Sequence, residues 1–506
     1  MSHPSIAHFL FSAVPAWGHI RPFCILAARL VNENENFIVT MIIAPIFLDK
    51  AHSEILAEFG EGDSAQARRR IRVLSTIQST SQGIYQLMQP MGETFGVAYQ
   101  ALSQAKPITC AVKGTIFDAI PAPVVVFLDA TRAITGHSVP IMAWITGHTS
   151  SIIRMFGPES LGGRGDIGAK IDAEVTRTGA SPEDVSEKIY NLTDGTLVKV
   201  PGLPTMYDYE YFPQNLPFNT LIGMIVRGCQ TVLRECDGVF LSSAHSFEER
   251  SIAAAKLWFS EMQKEFFVIG PLLPISYGTK AQSPRGAADV EAFLDKILVR
   301  CGRNSVVFIS FGTIFWPTVP GYVDEVIEAL IERKFPFVFS FASPFAKISD
   351  ELNEEVKLSG LGIIIPWAPQ QFTLNHPATG WFLTHCGHNG IMESLAAGVP
   401  LIAWPFEADQ PGAAAHLTEN LNVAFELIEV RTGENGLKPL YRNGRAAKGT
   451  REAVGIEIRE VIDACQGHKG EELRKNAEDI REKFAEAWQK DGISRKELHS
   501  FLEKCV

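Results

Sequence analysis

One segment constrains this chain more than any other: residues 367–410, which read WAPQQFTLNHPATGWFLTHCGHNGIMESLAAGVPLIAWPFEADQ. The short apolar run at 381–384 has the length and composition of a buried strand in a parallel sheet. A glycine-rich polar turn follows at 385–390, then a predicted helix at 391–397 and a further strand at 399–404. Such a turn places free backbone N–H groups and the positive helix end at the carboxyl edge of a strand, where phosphates bind.

The polar side chains of this segment suit successive parts of one extended ligand. Trp367 can stack on a flat base, Glu393 can accept hydrogen bonds from ribose hydroxyls, and His385 can donate one to a phosphate. Asp409 and Gln410 would then face a sugar. Each also has a structural explanation: a Trp in a core, an Asp-Gln pair on a loop, and a Glu that complements its own helix dipole. The combination favours a nucleotide site.

The beginning of the chain repeats the pattern of strand, turn and helix. Residues 7–14 predict a buried strand, and residues 15–22 predict the turn into a helix. His19 lies in that turn, at the carboxyl edge where chemistry takes place in this architecture, although a turn histidine can also be structural. A further strand at 37–44 continues the alternation that a doubly wound sheet requires.

A second group of strands begins at residues 305–311. Gly312 and Thr313 follow at the point where we expect the next helix to start. A small residue and a hydroxyl suit a phosphate there, and Thr313 could also cap the helix. Residues 335–341 and 361–366 predict two more strands.

Three segments of the first half carry further expectations. Residues 124–128 predict a buried strand that ends in Asp129, a carboxylate that is costly there unless it has a partner. Residues 83–99 carry large apolar side chains near helical spacing, which core packing explains better than a ligand does. Residues 157–193 are rich in Gly, Asp and Glu and predict a mobile insertion.

Composition narrows the class of protein. A chain of 506 residues is too long for one ordinary core, and its net charge of −11 argues against binding nucleic acid. The eight cysteines show no CxxC motif or metal-ligand spacing, so neither zinc nor a disulfide framework follows. No apolar run is long enough for an integral membrane segment, and we expect a cytoplasmic monomer.

The whole of residues 367–410 resembles the signature of the UDP-sugar glycosyltransferases that modify small molecules in plants and fungi, and the pair Gly18-His19 resembles their amino-terminal motif. The resemblance implies an α/β protein of the GT-B fold, with two Rossmann-like, doubly wound parallel-sheet domains facing across a cleft. The expected division is an acceptor domain at 1–270, a linker at 271–287, a UDP-sugar domain at 288–470 and a helical segment at 471–506 that packs back on the first domain.

The resemblance also implies roles for single residues. Trp367 would stack on uracil, Gln370 would lie near the uridine and Glu393 would hold the ribose. His385, Asn389 and the turn backbone would hold the diphosphate, and Asp409 with Gln410 the sugar. The full set of expected donor-binding residues is Gly18, Gly312, Thr313, Trp367, Ala368, Gln370, His385, Gly387, His388, Asn389, Gly390, Glu393, Asp409 and Gln410.

Two positions depart from the common plant pattern. His388 stands where Trp is usual and leaves the choice of donor sugar open, and Gly390 replaces a phosphate-binding Ser. In plant members a Gln at the position of Gln410 accompanies glucose, which favours UDP-glucose.

In the family the histidine of the Gly-His pair is the general base and an Asp orients it. His19 and Asp129 match these positions, with Asp118 as a rival for the second. The implied reaction is an inverting transfer of a hexose to a small hydrophobic acceptor, phenolic or terpenoid-like, in secondary metabolism. No Asp-x-Asp cluster occurs where a metal would be needed, so neither metal nor cofactor is expected. The alternatives are a sterol or lipid glucosyltransferase and a non-catalytic UDP-sugar-binding module.

Overall fold

The computed structural model describes residues 6–59, 64–81, 84–128, 139–216, 221–274, 277 and 288–506. Its strands, in chain order, are β1 Ala7–Ser12, β2 Phe37–Ile42, β3 Ile71–Leu74, β4 Ile108–Thr109, β5 Ile116–Phe117, β6 Val125–Leu128, β7 Ile141–Ile145, β8 Leu197–Val198, β9 Met206–Tyr207, β10 Gly238–Leu241, β11 Glu265–Val268, β12 Val306–Ser310, β13 Phe337–Ser340, β14 Gly362–Ile365, β15 Thr379–Thr384, β16 Leu401–Ala403 and β17 Ala424–Glu426.

The α-helices alternate with these strands. They are α1 Trp17–Glu33, α2 Leu48–Ala57, α3 Ser64–Arg68, α4 Ile84–Ser103, α5 Thr149–Phe156, α6 Ile167–Thr178, α7 Pro182–Asn191, α8 Ile222–Glu235, α9 His245–Glu261, α10 Ala288–Cys301, α11 Tyr322–Glu332, α12 Asp350–Ser359, α13 Gln370–Asn375, α14 His388–Ala396, α15 Gln410–Ala415, α16 Gly433–Gly436, α17 Arg451–Cys465, α18 His468–Glu486 and α19 Ile493–Cys505. Among the helices of the described ranges, none combines the length and the apolar character needed to cross a bilayer.

The first large sheet has seven strands in the order β11-β10-β7-β6-β1-β2-β3, and every neighbouring pair is parallel. Its strands are apolar runs that are buried on both faces, as a parallel sheet covered by helices requires. The strand order reverses between β1 and β6. In open parallel sheets the crevice at such a reversal, on the carboxyl side, is where ligands bind.

The second large sheet has six parallel strands in the order β14-β13-β12-β15-β16-β17. Its side chains alternate between two cores: Phe308 and Phe382 pack on one face, and Val307 and Trp381 on the other. Here the order reverses between β12 and β15. The strands predicted at 305–311 and 381–384 are therefore confirmed, and they flank the second crevice.

The prediction of a mobile insertion at 157–193 is wrong. This segment forms α6 and α7, and each begins with a side-chain cap: the Asp166 carboxylate accepts from the Ala169 N–H, and the Ser181 hydroxyl accepts from the Asp184 N–H. Ile171 and the rest of the apolar stripe are buried in the first core. The capping residues Asp166 and Ser181 are visible in the sequence, but the glycine and charged residues of this segment hid the helical pattern.

The last two helices divide between the sheets. Leu473 and Ala477 of α18 are buried in the cores of the second sheet. After α18, α19 reaches the first sheet, where Phe501 is fully buried. Its ring contacts four aromatic residues, at centroid distances of 6.5 Å to Phe9, 5.6 Å to Phe127, 4.6 Å to Phe240 and 5.5 Å to Phe267.

Replacing Phe501 with Ala should destabilise the protein by about 3–5 kcal/mol, because it leaves a cavity among packed aromatic rings. Urea denaturation followed by tryptophan fluorescence measures the loss. Val299, which is 90% exposed, supplies the control, since its replacement with Ala should change stability by less than about 0.5 kcal/mol. Equal effects of the two substitutions would contradict the packing seen for α19.

Candidate functional site

The carboxyl end of β1 leads directly into α1, which places the amino end of that helix at the first crevice. The helix begins at Trp17, so His19 lies in its first turn rather than in the longer turn expected at 15–22. Pro22 lies inside the helix and has no N–H to donate to the carbonyl of Gly18. That carbonyl instead accepts a hydrogen bond of 3.2 Å from Asn389 Nδ2, in α14 of the second domain. A proline thus frees the backbone oxygen that joins the two domains.

Arg21 makes a second contact between the same two helices. Its Nη1 lies 2.8 Å from Glu393 Oε1, and its Nε lies 2.7 Å from Glu54 Oε1 in α2. Gly18 and Arg21 are three residues apart on α1, and Asn389 and Glu393 are four apart on α14, so each pair lies on one helix face. The first turn of α1, with His19 in it, is therefore held against α14.

Glu393 is the most densely bonded carboxylate of the site. Besides Arg21, its oxygens accept from Gln370 Nε2 at 2.6 Å and from Gln371 Nε2 at 2.8 Å. The Tyr277 hydroxyl donates to its backbone carbonyl. The structure thus brings the predicted residues Gln370 and Glu393 together. Arg21, Gln371 and Tyr277 were missed, although Arg21 stood in the predicted turn.

The second crevice, between β12 and β15, brings Gly312 against His385. A Cβ atom on Gly312 would lie 2.9 Å from Cε1 of His385, and one on Gly387 would lie 2.5 Å from its Nε2, so glycine at both positions leaves room for the ring. Gly312 also has a φ of +73°, which favours glycine. Burial lowers the pKa of His385 to about 4, so the ring is neutral near pH 7.

The expectation that a helix starts at Thr313 is wrong. A loop follows β12, the helix α11 begins only at Tyr322, and Thr313 is exposed in the loop. Its hydroxyl therefore caps no helix. Of the pair Gly312 and Thr313, it is Gly312 that lies against His385, where an added Cβ would meet the ring.

The first turn of α14 follows Gly387 and presents backbone N–H groups that have no acceptor within the helix. Asn389 and Gly390 lie in that turn. A Cβ on Gly390 would meet Phe382 at 3.4 Å and Gln370 at 3.7 Å, so the position has space for a small side chain.

The residues expected beside the base differ in exposure. Trp367 is 53% exposed, so part of its ring surface is open to a ligand, whereas Ala368 is buried in the core of the second sheet.

Asp409 and Gln410 stand at the start of α15. The side-chain carbonyl of Gln410 accepts from the Phe406 N–H at 2.9 Å, so its Oε1 is engaged within its own loop. Burial raises the pKa of Asp409 to about 6, although the backbone N–H groups of Asp409 and His388 bind the carboxylate and act in the opposite direction.

The ring of His388 is turned toward the first domain. Its Nδ1 lies 3.1 Å from Nδ1 of His148, and its Nε2 lies 3.1 Å from the Ser242 hydroxyl. His148 follows β7 and Ser242 follows β10, so both stand at the carboxyl edge of the first sheet. His148 was missed, although it lies just after a buried strand of the same sheet as His19.

The two candidate partners of His19 have different outcomes. Asp129 lies outside the described residues, so its pairing with His19 stays a prediction. Asp118 follows the small antiparallel pair of β4 and β5, is exposed, and its carbonyl accepts from Arg72 at 2.7 Å. An exposed carboxylate on a peripheral ribbon is poorly placed to orient a half-buried histidine.

Comparison with known proteins identifies the class. The family described as UDP-glucoronosyl and UDP-glucosyl transferase matches residues 241–437. A UDP-glycosyltransferase of Hericium erinaceus, eriJ, is 29% identical over 99% of both chains, and the anthocyanidin 3-O-glucosyltransferase of Zea mays is 27% identical over 65% of this chain and 64% of its own. The structure of Medicago truncatula UGT71G1 complexed with UDP-glucose has a TM-score of 0.69 at 18% identity, with coverage of 99% and 98%.

Two doubly wound parallel sheets with their carboxyl edges turned toward one another are the GT-B fold of glycosyltransferases, as the resemblance implied. The family match over residues 241–437 and the whole-length similarity to a UDP-glycosyltransferase support the class of UDP-glycosyltransferases for this chain.

Replacing Asp409 with Asn should stabilise the ligand-free protein at pH 8 but not at pH 4. The pKa of this carboxyl is higher in the folded protein than its usual value of 3.8, so its favourable contribution to stability is complete below pH 3.8 and is lost as the pH rises through about 6. The expected gain at pH 8 is about 1–3 kcal/mol. Thermal unfolding across this range measures it, with the exposed Asp491→Asn as a control that shows no such trend. A gain that is the same at both pH values would contradict this explanation.

Proposed function

We propose that this protein is an inverting glycosyltransferase that moves a hexose, glucose, from UDP-glucose to a hydroxyl of a small hydrophobic acceptor. One observation carries the proposal: the helix turn that holds His19 is joined directly to α14 by the Gly18–Asn389 and Arg21–Glu393 contacts. A candidate base and a candidate phosphate-binding helix end are thereby kept at a fixed separation. Transfer between two bound substrates depends on such positioning.

In the proposed donor complex the uracil stacks on Trp367 and the ribose hydroxyls bind Glu393. The carboxylate already accepts from Arg21, Gln370 and Gln371, and its two oxygens offer about four acceptor positions. Because the ribose brings two hydroxyls, one of them must share a position with one of these three donors or displace it. The first turn of α14 and the neutral ring of His385 face the diphosphate and offer N–H groups to it.

In the proposed reaction His19 takes the proton of the acceptor hydroxyl. The freed oxygen forms a bond to C1 of the hexose as the bond from C1 to the phosphate oxygen breaks, and UDP leaves with that electron pair. Attack from the face opposite the leaving group inverts the configuration at C1. The departing diphosphate gains negative charge, which the N–H groups of α14 and His385 stabilise without having to reorganise.

The proposed acceptor is a phenolic or terpenoid-like molecule. A glucosyltransferase that acts on anthocyanidin, which is a phenol, is among the similar proteins and supports the phenolic choice. Glucose as the donor sugar is supported by Gln410 and by the UDP-glucose bound in a structure of the same fold. A mass-spectrometric assay of mixed UDP-sugars against phenols and terpenoids reads sugar and acceptor together.

Replacing His19 with Ala should lower the rate of transfer by about 10²- to 10⁴-fold, the usual contribution of a general base. Affinity for UDP should stay within about twofold, because in the proposed complex His19 faces the hydroxyl of the second substrate and does not contact UDP. The exposed His52→Ala serves as the matched control and should retain full activity. Transfer that persists in His19→Ala would contradict the assignment of the base.

Transfer should continue after treatment with a chelator. Among the residues that the structure describes, no three His, Cys, Asp or Glu side chains are grouped so as to hold a metal ion, and in the proposed complex helix N–H groups stabilise the diphosphate instead. The expected rate in excess EDTA is within about twofold of the untreated rate. A loss that added Mg²⁺ or Mn²⁺ restores would contradict metal-independent transfer.

A further inference from the structure

Four polar side chains form a continuous line between the two domains. The Ser242 hydroxyl lies 3.1 Å from Nε2 of His388, Nδ1 of His388 lies 3.1 Å from Nδ1 of His148, and Nε2 of His148 lies 3.9 Å from Oδ2 of Asp409. The line alternates between domains, since Ser242 and His148 belong to the first sheet and the other two residues to the second. It ends at the carboxylate assigned to the donor sugar.

The first three members are almost fully buried, and the ring of His148 is held by packing. His148 is 1% exposed, and its ring stacks on Phe247 at a centroid distance of 5.0 Å. His148 occupies the N-cap position of α5 but does not cap it. The Glu248 carboxylate accepts from the Thr149 N–H at 2.5 Å and the Ser150 N–H at 3.0 Å instead. The imidazole is therefore left for another role.

Both imidazoles are neutral near pH 7. Burial lowers the pKa of His148 well below its usual value, and it lowers the pKa of His388 to about 3. A neutral imidazole has one N–H donor and one nitrogen that accepts. Across the 3.1 Å contact between the two Nδ1 atoms, one ring must therefore donate and the other accept.

The carboxylate of Asp409 decides the direction. An ionised carboxylate only accepts hydrogen bonds, so it favours an N–H on the facing Nε2 of His148. Nδ1 of His148 is then the acceptor and Nδ1 of His388 the donor. Nε2 of His388 in turn accepts from the Ser242 hydroxyl. The Ser242 backbone, which partly offsets the effect of burial on the pKa of His388, acts against this direction. Every ring nitrogen has one defined role, and the line ends in an N–H that faces Asp409.

That last N–H has no hydrogen-bond acceptor among the described residues. A separation of 3.9 Å is too long for a hydrogen bond, and Nε2 of His148 is buried without a partner there. A buried donor without a partner is costly. A hydroxyl oxygen can lie within hydrogen-bond distance of both groups, accepting from the N–H and donating to the carboxylate. Because the groups belong to different domains, a small opening of the cleft admits such a hydroxyl.

We propose that His148 is a specificity-determining contact for the donor sugar, and that one hydroxyl of the hexose binds between its Nε2–H and the carboxylate of Asp409. His388 is a positioning residue, since its Nδ1–H fixes the tautomer of His148. This inference rests on the proposed function, because it takes the donor sugar to lie at Asp409. It also gives the histidine at position 388 a role that a tryptophan there could not fill, as an indole has one donor and no acceptor.

The test compares the affinity of UDP-glucose with that of UDP, measured by calorimetry without acceptor. Replacing His148 with Phe should weaken UDP-glucose about tenfold, the usual effect of losing one hydrogen bond to a substrate hydroxyl, and should leave UDP within about twofold. His148→Gln, which can present an amide N–H near the position of Nε2, should recover most of the loss. Equal weakening of both ligands, or of neither, would overturn the proposal.

Deoxy sugars locate the hydroxyl and keep the test independent of one variant. In the unaltered protein, one UDP-deoxyglucose isomer should bind about tenfold more weakly than UDP-glucose, and this difference should vanish in His148→Phe. A difference that persists in the variant would place the hydroxyl elsewhere and overturn the proposal.

The pair of substitutions at His388 separates tautomer control from packing. His388→Asn can keep a donor toward His148 and should retain the preference for UDP-glucose over UDP, whereas His388→Leu should lose it about as far as His148→Phe does. If His388→Leu retains the preference for UDP-glucose as His388→Asn does, His388 does not position His148.

Failure of the proposed function would look different. If the unaltered protein transferred no sugar but the affinities followed the expected pattern, the proposed transferase activity would be wrong and the proposed contact between His148 and the sugar would stand.

Discussion

The contact between the first turn of α1 and the first turns of α14 is the constraint on which the site depends. A carbonyl that Pro22 leaves without its helical partner accepts from Asn389, and Arg21 binds Glu393 one helical turn further along. The two contacting residues are three apart on α1 and four apart on α14, so each pair lies on one face of its helix. Together the two contacts resist both sliding and rotation of one helix against the other. His19 stands between them. The position of the candidate base relative to the donor helix is thus set by groups on either side of it.

The two carboxylates of the proposed donor site, Glu393 and Asp409, stand in opposite electrostatic environments. Glu393 is bound by a guanidinium and two amide groups, so its charge is compensated before any ligand arrives. Among the residues that the structure describes, the Asp409 carboxylate accepts only from backbone N–H groups, and burial raises its pKa. In the proposed donor complex a ribose would therefore compete for its place at Glu393, whereas a sugar hydroxyl would give the Asp409 carboxylate a further hydrogen-bond donor. A hydrogen bond from the sugar would thus offset part of the free-energy cost of burying the Asp409 carboxylate.

Much of the fold followed from local pattern, because buried parallel strands are continuous apolar runs with glycine or polar residues at their ends. Residues 381–384 and 305–311 are of this kind, and both are central strands. The adjacency of Gln370 and Glu393 followed from the resemblance, which placed them at the uridine and at its ribose; in the structure they lie on the two helices that flank β15. The segment at 157–193 did not, because two short capped helices bury few residues each and leave a weak periodic signal.

What could not be predicted depends on contacts between domains. The sequence places His388 in the first turn of a helix but does not say that its ring faces Ser242 and His148, which follow two other strands far along the chain. Arg21 was visible as part of a turn, yet its partner is on the opposite sheet. Thr313 was expected to begin a helix because most parallel strands lead into one within a few residues, and here an intervening loop defers the helix to Tyr322. Residue type and local pattern identify candidate site residues, and the packing of the two domains determines which of these residues are in contact.

The packing of α19 has a consequence for how the protein acquires its structure. Phe501 completes an aromatic cluster with Phe9 and Phe127, so a core built from the earliest strands lacks a central ring until residue 501 has left the ribosome. Contacts that close so long a loop form slowly. During synthesis the amino-terminal sheet would carry an uncovered apolar surface, which makes it the part of the nascent protein most in need of chaperone protection.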